Sequence, residues 1–363
     1  MNLGVTKRLE PILRSVRSFI DERILPVDEE FIEEISNGDR WTLNERQTEI
    51  LEGLKKEARE NGLWNFWLTD SALGPGLTTV EYAYIAEETG RSYIAAEVFN
   101  CSAPDTGNME VLERYGTEAQ KKEWLEPLLN GEIRSAYAMS EPSVASSDAT
   151  NISMPANLEN TEWVLNGEKT YISGAGDKRC SILICMVKTN PEAERHKQHA
   201  QILVPMDTPG LEVVRPMGVF SMDDAPHGHM HLRFTDVRVP EANIILGPGR
   251  GFEVAQGRLG PGRIHHCMRA IGMAEDALQR MCQRSVSRTA FGKPLAKLGG
   301  NYDKIANARM AIDMARLLTL RTAHAIDTQG VPEAQLWISK IKAHVPNVAL
   351  DVIDDAIQMH GAA

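Results

Sequence analysis

Apolar residues at Leu9, Ile12, Leu13, Val16, Phe19, Ile20 and Ile24 recur at the spacing of one helix face, predicting a helix over 7–35 that Pro26 interrupts. A second helical stretch, 44–60, meets a stop signal at Asn61-Gly62. The segment 63–76, with Trp64, Phe66 and Trp67 before Gly74-Pro75-Gly76, reads as a loop. Thr79 opens another helix that runs to Gly90, and further helices are expected over 93–102, 109–115 and 120–129. From Ile133 the period changes. Asn166-Gly167 lies between two strand-like runs in 162–173, which predicts a hairpin there. Short apolar strands follow at 180–187, 201–204, 211–215, 227–234 and 237–239. Beyond Gly247-Pro248-Gly249-Arg250-Gly251 the helical period returns, with Ile264, Met268, Ile271, Ala274, Leu278 and Met281 on one face. Two more helices are expected over 302–328 and over 333–360, the latter containing Pro346 and ending at Gly361. The expected class is α+β: a helical N-terminal domain (1–132), a central small β-barrel or β-sandwich (133–245) and a C-terminal helical bundle (246–363).

Composition narrows the function. With 363 residues, 42% hydrophobic and 25% charged, the chain can bury a large core. Its net charge of −11 argues against nucleic acid or an anionic membrane as the main partner. No apolar run reaches the roughly 18 residues of a membrane span, and the first residues resemble neither a signal nor a transit peptide, so a cytoplasmic location is expected. Five cysteines without a CxxC pair suggest neither a disulfide framework nor a zinc cluster.

Four stretches bear on chemistry. Tyr137 to Ile152, YAMSEPSVASSDATNI, is dense in Ser, Pro, Asp and Asn, which leaves backbone N–H groups and hydroxyls for a ligand or simply makes an interdomain turn. His227, His229 and His231 alternate as residues on one face of a strand would, a spacing open to a metal but without a Cys or carboxylate at a useful spacing. His265-His266 point to different sides of a helix and read as packing or solvent residues. The glycines of 247–252 lead into a helix, yet lack the Lys-Ser/Thr ending of a phosphate loop and read as a tight turn.

Five wordings, in order, resemble the acyl-CoA dehydrogenase family: YAMSEPSVASSD at 137–148, NGEKTYISGAG at 166–176, FTDVRVP at 234–240, RTAFGKP at 288–294 and QMHG at 358–361. They are spread over nearly the whole chain, and SEPSVASSDATN and QMHGAA are most similar to the branch acting on longer acyl chains. The resemblance implies an FAD-dependent oxidoreductase of fatty acid β-oxidation. It would convert an acyl-CoA substrate to the trans-2-enoyl thioester and pass electrons to an electron-transfer flavoprotein. It also implies a homodimer or homotetramer. Acyl-CoA oxidases and flavin monooxygenases share the fold and are the near alternative. A catalytically inactive or nucleic-acid-binding homologue is the more distant one.

Residue by residue, the resemblance places Met139 and Ser140 against the flavin ring, Ser173 on the side of its N5, and Tyr171 where the family usually keeps a Trp. Backbone N–H groups and short hydroxyls there would stabilise charge on the reduced ring. Arg288 and Phe291 match a helix end that reaches a neighbouring subunit's cofactor, and Gln358 and Gly361 match the loop receiving its ADP half. Ser146, Ser147 and Arg263 match substrate contacts, although the segment after Pro142 is one residue longer than the usual wording and lacks its glycines. Leu298-Gly299-Gly300 stands where the family often has a polar residue. The base at the substrate α-carbon is expected beyond Ala363, because Gly262 occupies the alternative helix position for it.

Overall fold

The stripe predicted at the N-terminus is buried: Leu9, Leu13, Val16, Ile20 and Ile24 all lie in the core of a helical run that extends to Glu34. Pro26 does not interrupt it. A π turn at Ile20–Ile24 precedes the proline, with the Leu25 N–H bonded to the Ile20 carbonyl, and the helix continues as Leu25–Glu34. The same device recurs at Lys121–Leu125, two residues before Pro127. Proline removes one donor and crowds the preceding turn, and a widened turn accommodates both effects.

The computed structural model describes residues 2–68 and 73–362, so part of the expected 63–76 loop lies outside the described residues. The chain divides into two units, one of Met1–Glu29, Leu51–Phe99 and Gly260–Ala363, the other of Glu30–Ile50 and Asn100–Leu259. In the first, the helices Thr79–Thr89, Asn301–Gln329, Val331–His360 and much of Gly251–Ser287 carry the core. Glycine permits backbone contact there: a Cβ on Gly272 would stand 2.0 Å from the Glu87 carbonyl oxygen. The Thr79 and Val80 N–H groups donate to the Asp327 carboxylate at 2.8 and 3.1 Å. The expected helix over 93–102 shrinks to Ala95–Val98. The Asp28 carboxylate takes the N–H groups of Tyr93 and Ile94, and Asn100 turns left-handed at φ 52°, so neither end can propagate.

In the second unit, β1 (Arg134–Ala138), β4 (Cys180–Lys188), β5 (His199–Pro205) and β8 (Ile244–Ile245) form one sheet in the order β1-β4-β5-β8. The other, ordered β2-β3-β7-β6, contains β2 (Ala156–Glu159), β3 (Glu162–Ser173), β6 (Leu211–Pro216) and β7 (His229–Pro240). Ala136, Leu183, Cys185, Ile202 and Val204 from the first sheet meet Leu165, Ile172, Leu232, Phe234 and Val239 from the second. Among the described residues the sheets share no strand, so this is a sandwich and not a closed barrel.

The hairpin expected at Asn166-Gly167 is not there. β3 passes through both residues, and the turn falls earlier, at Asn160-Thr161 between β2 and β3. Asn166-Gly167 is instead a bulge: the β3–β7 register shifts between Leu165 and Gly167, and Asn166 Oδ1 accepts the Asp236 N–H at 2.8 Å. Gly167 sits at φ 145°, and a Cβ on it would come within 2.8 Å of Met154. The strand expected to begin at His227 begins at His229, after a left-handed Gly228.

Candidate functional site

The polar stretch that follows β1 is held from below by a buried lysine. Lys169 lies at an inward position of β3, and its side chain is fully buried. Its Nζ donates to the Met139 carbonyl at 3.0 Å, the Met186 carbonyl at 2.6 Å and Glu141 Oε1 at 2.9 Å. Glu141 also accepts from the Ser153 N–H and hydroxyl and from the Met154 N–H, at 2.8 to 2.9 Å. These donors and the lysine charge hold its carboxyl below its usual range, although burial works in the opposite direction.

This arrangement orients one peptide. In a trans peptide the C=O and the following N–H point in opposite directions. Lys169 fixes the Met139 carbonyl, so the Ser140 N–H is aimed the other way, and the Ser140 carbonyl is in turn taken by the Thr170 N–H at 2.9 Å. Among the described residues neither the Ser140 N–H nor its hydroxyl has a hydrogen-bond partner. Ser146 is otherwise occupied: its Oγ accepts the Glu141 N–H at 2.8 Å and closes the loop, whereas Ser147 is exposed.

A second bulge shapes the strand beside it. The β3–β7 register shifts again between Lys169 and Ile172, with Tyr171 left-handed at φ 56° and half exposed. After the shift Ser173 pairs with His229, and Ser173 Oγ lies 2.8 Å from His229 Nδ1. Met139, Ser140, Tyr171 and Ser173 therefore come from two elements linked through Lys169 and Thr170. Lys169 and Glu141 escaped the sequence reading. The sequence carries no local signal for either, since Lys169 stands between Glu168 and Thr170 and has the pattern of a surface strand residue.

Tyr137, near the end of β1, is half-buried and its hydroxyl accepts from Gln201 Nε2 at 2.9 Å. Burial pushes its pKa up to about 12. The Arg258 guanidinium stacks 4.0 Å above its ring and donates to Asn108 Oδ1 at 3.1 Å.

The remaining expected residues lie in the other unit. Arg288, Gln358 and Gly361 line a cavity of about 560 Å³ with Arg284, Asn301 and Lys304. Arg284 Nη2 donates to the His360 carbonyl at 3.1 Å, and Gly361, at φ 70°, ends the Val331–His360 helix. The Arg288 side chain has no hydrogen-bond or ion-pair partner among the described residues and is exposed. Phe291 and Gly292 form a two-residue turn with φ 50° and 73°, which leaves the Phe291 ring 93% exposed. Arg263, half-buried in Gly251–Ser287, likewise lacks a partner among the described residues. A Cβ on Gly262 would meet open space.

The histidine series is divided among separate carboxylates. His227 faces Asp177, His229 faces Asp224 and His231 faces Glu168, at 3.3, 3.5 and 3.2 Å. No group of metal-binding side chains is found among the described residues. His265 lies edge-on against Tyr82, burial and the nearby Arg269 hold its pKa well below the ordinary value, and His266 is exposed. A larger cavity of about 700 Å³, walled by Trp41, Trp124, Met206 and Val214, gathers none of the expected residues.

Family models match in succession: acyl-CoA dehydrogenase N-terminal domain over residues 6–132, middle domain over 136–237 and C-terminal domain over 249–363. A Mycobacterium tuberculosis protein, "Probable acyl-CoA dehydrogenase FadE2", is 52% identical over 315 residues, covering 86% of this chain and 76% of its own. The chain belongs to the acyl-CoA dehydrogenase family. The mouse "Acyl-CoA dehydrogenase family member 10" is 50% identical over 99% of the chain, which spans only 34% of that protein's length. A solved structure put forward as an acyl-CoA dehydrogenase, from Mycobacterium abscessus, superposes with a TM-score of 0.95 at 48% identity, over 99% of this chain and 89% of its own. No helix among the described residues is long and apolar enough to cross a membrane.

Proposed function

We propose that this chain is the flavin-bearing part of an acyl-CoA dehydrogenase, oxidising an acyl-CoA thioester to the trans-2-enoyl product with electrons passing to an electron-transfer flavoprotein. The observation that carries it is the Met139–Ser140 peptide, whose carbonyl is tied to a buried lysine while its N–H and the adjacent hydroxyl have no partner among the described residues. Such donors are what a ring gaining negative charge requires. The rest of the set fits FAD as well. Arg288 offers an uncommitted planar fork to a phosphate, Gln358 and the Gly361 backbone stand in the same cavity, and Tyr171 presents an exposed ring beside Ser173.

Bound FAD supplies the hydride acceptor. Ser140 stabilises the charge that develops at the ring edge, Tyr171 covers the ring, and Arg288 with Phe291 holds the nucleotide end of a second copy's cofactor. Arg263 meets the CoA end of the substrate, with Ser146 and Ser147 along its arm. Proton abstraction from the α-carbon needs a base; Gly262 has no side chain to offer, and no other residue is assigned the role. The Phe291 ring and the exposed Met310, Met314 and Leu317 of the Asn301–Gln329 helix support a homodimer or homotetramer. The test is anaerobic titration of the purified flavoprotein with acyl-CoA thioesters from short to very long chain. Bleaching of the flavin band by one of them is expected, and absence of bleaching by all of them overturns the reading.

A further inference from the structure

His229 has a job that packing does not explain. Its Nδ1 lies 2.8 Å from Ser173 Oγ and its Nε2 lies 3.5 Å from Asp224 Oδ2, so one imidazole joins a hydroxyl to a carboxylate. The bulge at 170–171 creates this pairing by setting Ser173 opposite His229. The Asp224 side chain is 53% exposed and the His229 side chain 35% exposed, so the row runs from a half-buried hydroxyl to solvent. The carboxylate favours a proton on Nε2, which leaves the Nδ1 lone pair to accept the Ser173 O–H. Ser173 then presents only oxygen lone pairs in other directions.

We infer that Ser173, His229 and Asp224 form a proton relay that serves reoxidation of the bound flavin. This rests on the dehydrogenase reading, which sets Ser173 beside the ring nitrogen that takes up hydride. When the reduced cofactor gives two electrons, one at a time, to a one-electron acceptor, one proton must also leave that nitrogen. Ser173 Oγ takes it. The N–H bond breaks, a new O–H bond forms, and the hydroxyl's original proton passes to His229 Nδ1. Asp224 holds the resulting imidazolium, which releases its Nε2 proton to water, and exchange at the partly exposed ring restores the starting tautomer. Two electrons leave with the acceptor and one proton leaves by the relay, so the ring returns to its neutral oxidised state.

The test uses flavin-loaded protein reduced photochemically, then mixed anaerobically with excess ferrocenium in H2O and in D2O. His229→Ala is expected to slow reoxidation roughly 10-fold, less than the roughly 100-fold or more of a fully enclosed acid–base group because water reaches this imidazole, with rescue by added imidazole. Asp224→Asn, at an exposed position that leaves the fold intact, is expected to slow it less and to shift the 15N signals of His229 away from the Nε2–H tautomer, in flavin-free protein as well. Unchanged rates in both variants overturn the relay. So does slowing of His229→Ala that shows neither imidazole rescue nor a change in solvent isotope effect, because that is the signature of a structural role. Since reduction is photochemical, failure of acyl-CoA to bleach the wild type counts against the dehydrogenase reading alone.

Discussion

Replacing Lys169 with Met keeps the length and apolar stem of the side chain but removes the charge that organises the Tyr137–Ile152 stretch. The Met139 and Met186 carbonyls lose the lysine as donor, and Glu141 Oε1 loses its cationic donor but keeps the Met154 N–H. Removing one partner of a buried ion pair costs about 3–5 kcal/mol, because the remaining charge stays desolvated. The two orphaned carbonyls push the cost toward the upper end, while the Ser153 and Met154 donors that remain on Glu141 hold it down. Glu141→Gln on its own turns one of the two accepting oxygens into an NH2 that faces donors and leaves the buried lysine charge unpaired, so it is expected to cost about 3–5 kcal/mol as well. In the double variant no unpaired buried charge remains, so the two losses should fall short of additivity by about 2 kcal/mol. Urea unfolding of the four proteins gives the cycle, and fluorescence quenching on FAD addition gives cofactor affinity in parallel. Lys169→Met should weaken FAD binding by roughly 10-fold or more, because a free Met139–Ser140 peptide has to be reordered on binding at a cost of about 1–2 kcal/mol. An additive cycle, or a Lys169→Met protein that binds FAD as tightly as wild type, would refute the claim that this lysine orients the peptide.

Gly262→Ala is expected to stabilise the protein by about 1 kcal/mol through helix propensity, since its Cβ meets open space, whereas Gly272→Ala on the same helix should destabilise by about 1–3 kcal/mol against the Glu87 carbonyl; thermal unfolding decides both signs. Burial raises the Glu110 carboxyl to about 7, so its contribution is fully present below about 4.5 and is lost as pH rises through about 7. Glu110→Gln should therefore flatten that part of the stability profile, by on the order of 3 kcal/mol in denaturant titrations across pH 4.5 to 7.5. Glu141 runs the other way: its stabilisation is present above about 4.5 and is lost as pH falls through its lower folded value, a loss that Glu141→Gln should abolish at the acid end. Arg288→Ala should leave unfolding midpoints within about 0.5 kcal/mol, as befits an exposed side chain, while lowering the flavin retained through gel filtration.

The sequence by itself determined the order of helices, sheet and helices, because burial periods of 3.6 and 2 residues are local properties: the Leu9 to Ile24 stripe and the Cys180–Lys188 run are both found as read. It also determined the family, through five separated wordings that no single fold period would generate. What it could not carry was register. Asn166-Gly167 has the composition of a hairpin turn, but whether such a pair turns or bulges depends on the strand alongside, and here Asp236, 70 residues on, supplies the N–H that Asn166 captures. The bulge at 170–171 left no composition signal at all, yet it alone sets Ser173 against His229. Lys169 reads as a surface residue until tertiary contacts bring a carboxylate 28 residues away and two carbonyls to the same point. Short-range pattern decides which elements form. Only the folded chain decides which polar groups are satisfied internally and which, like the Ser140 N–H, are left for a ligand, because hydrogen-bond satisfaction is a property of neighbours in space.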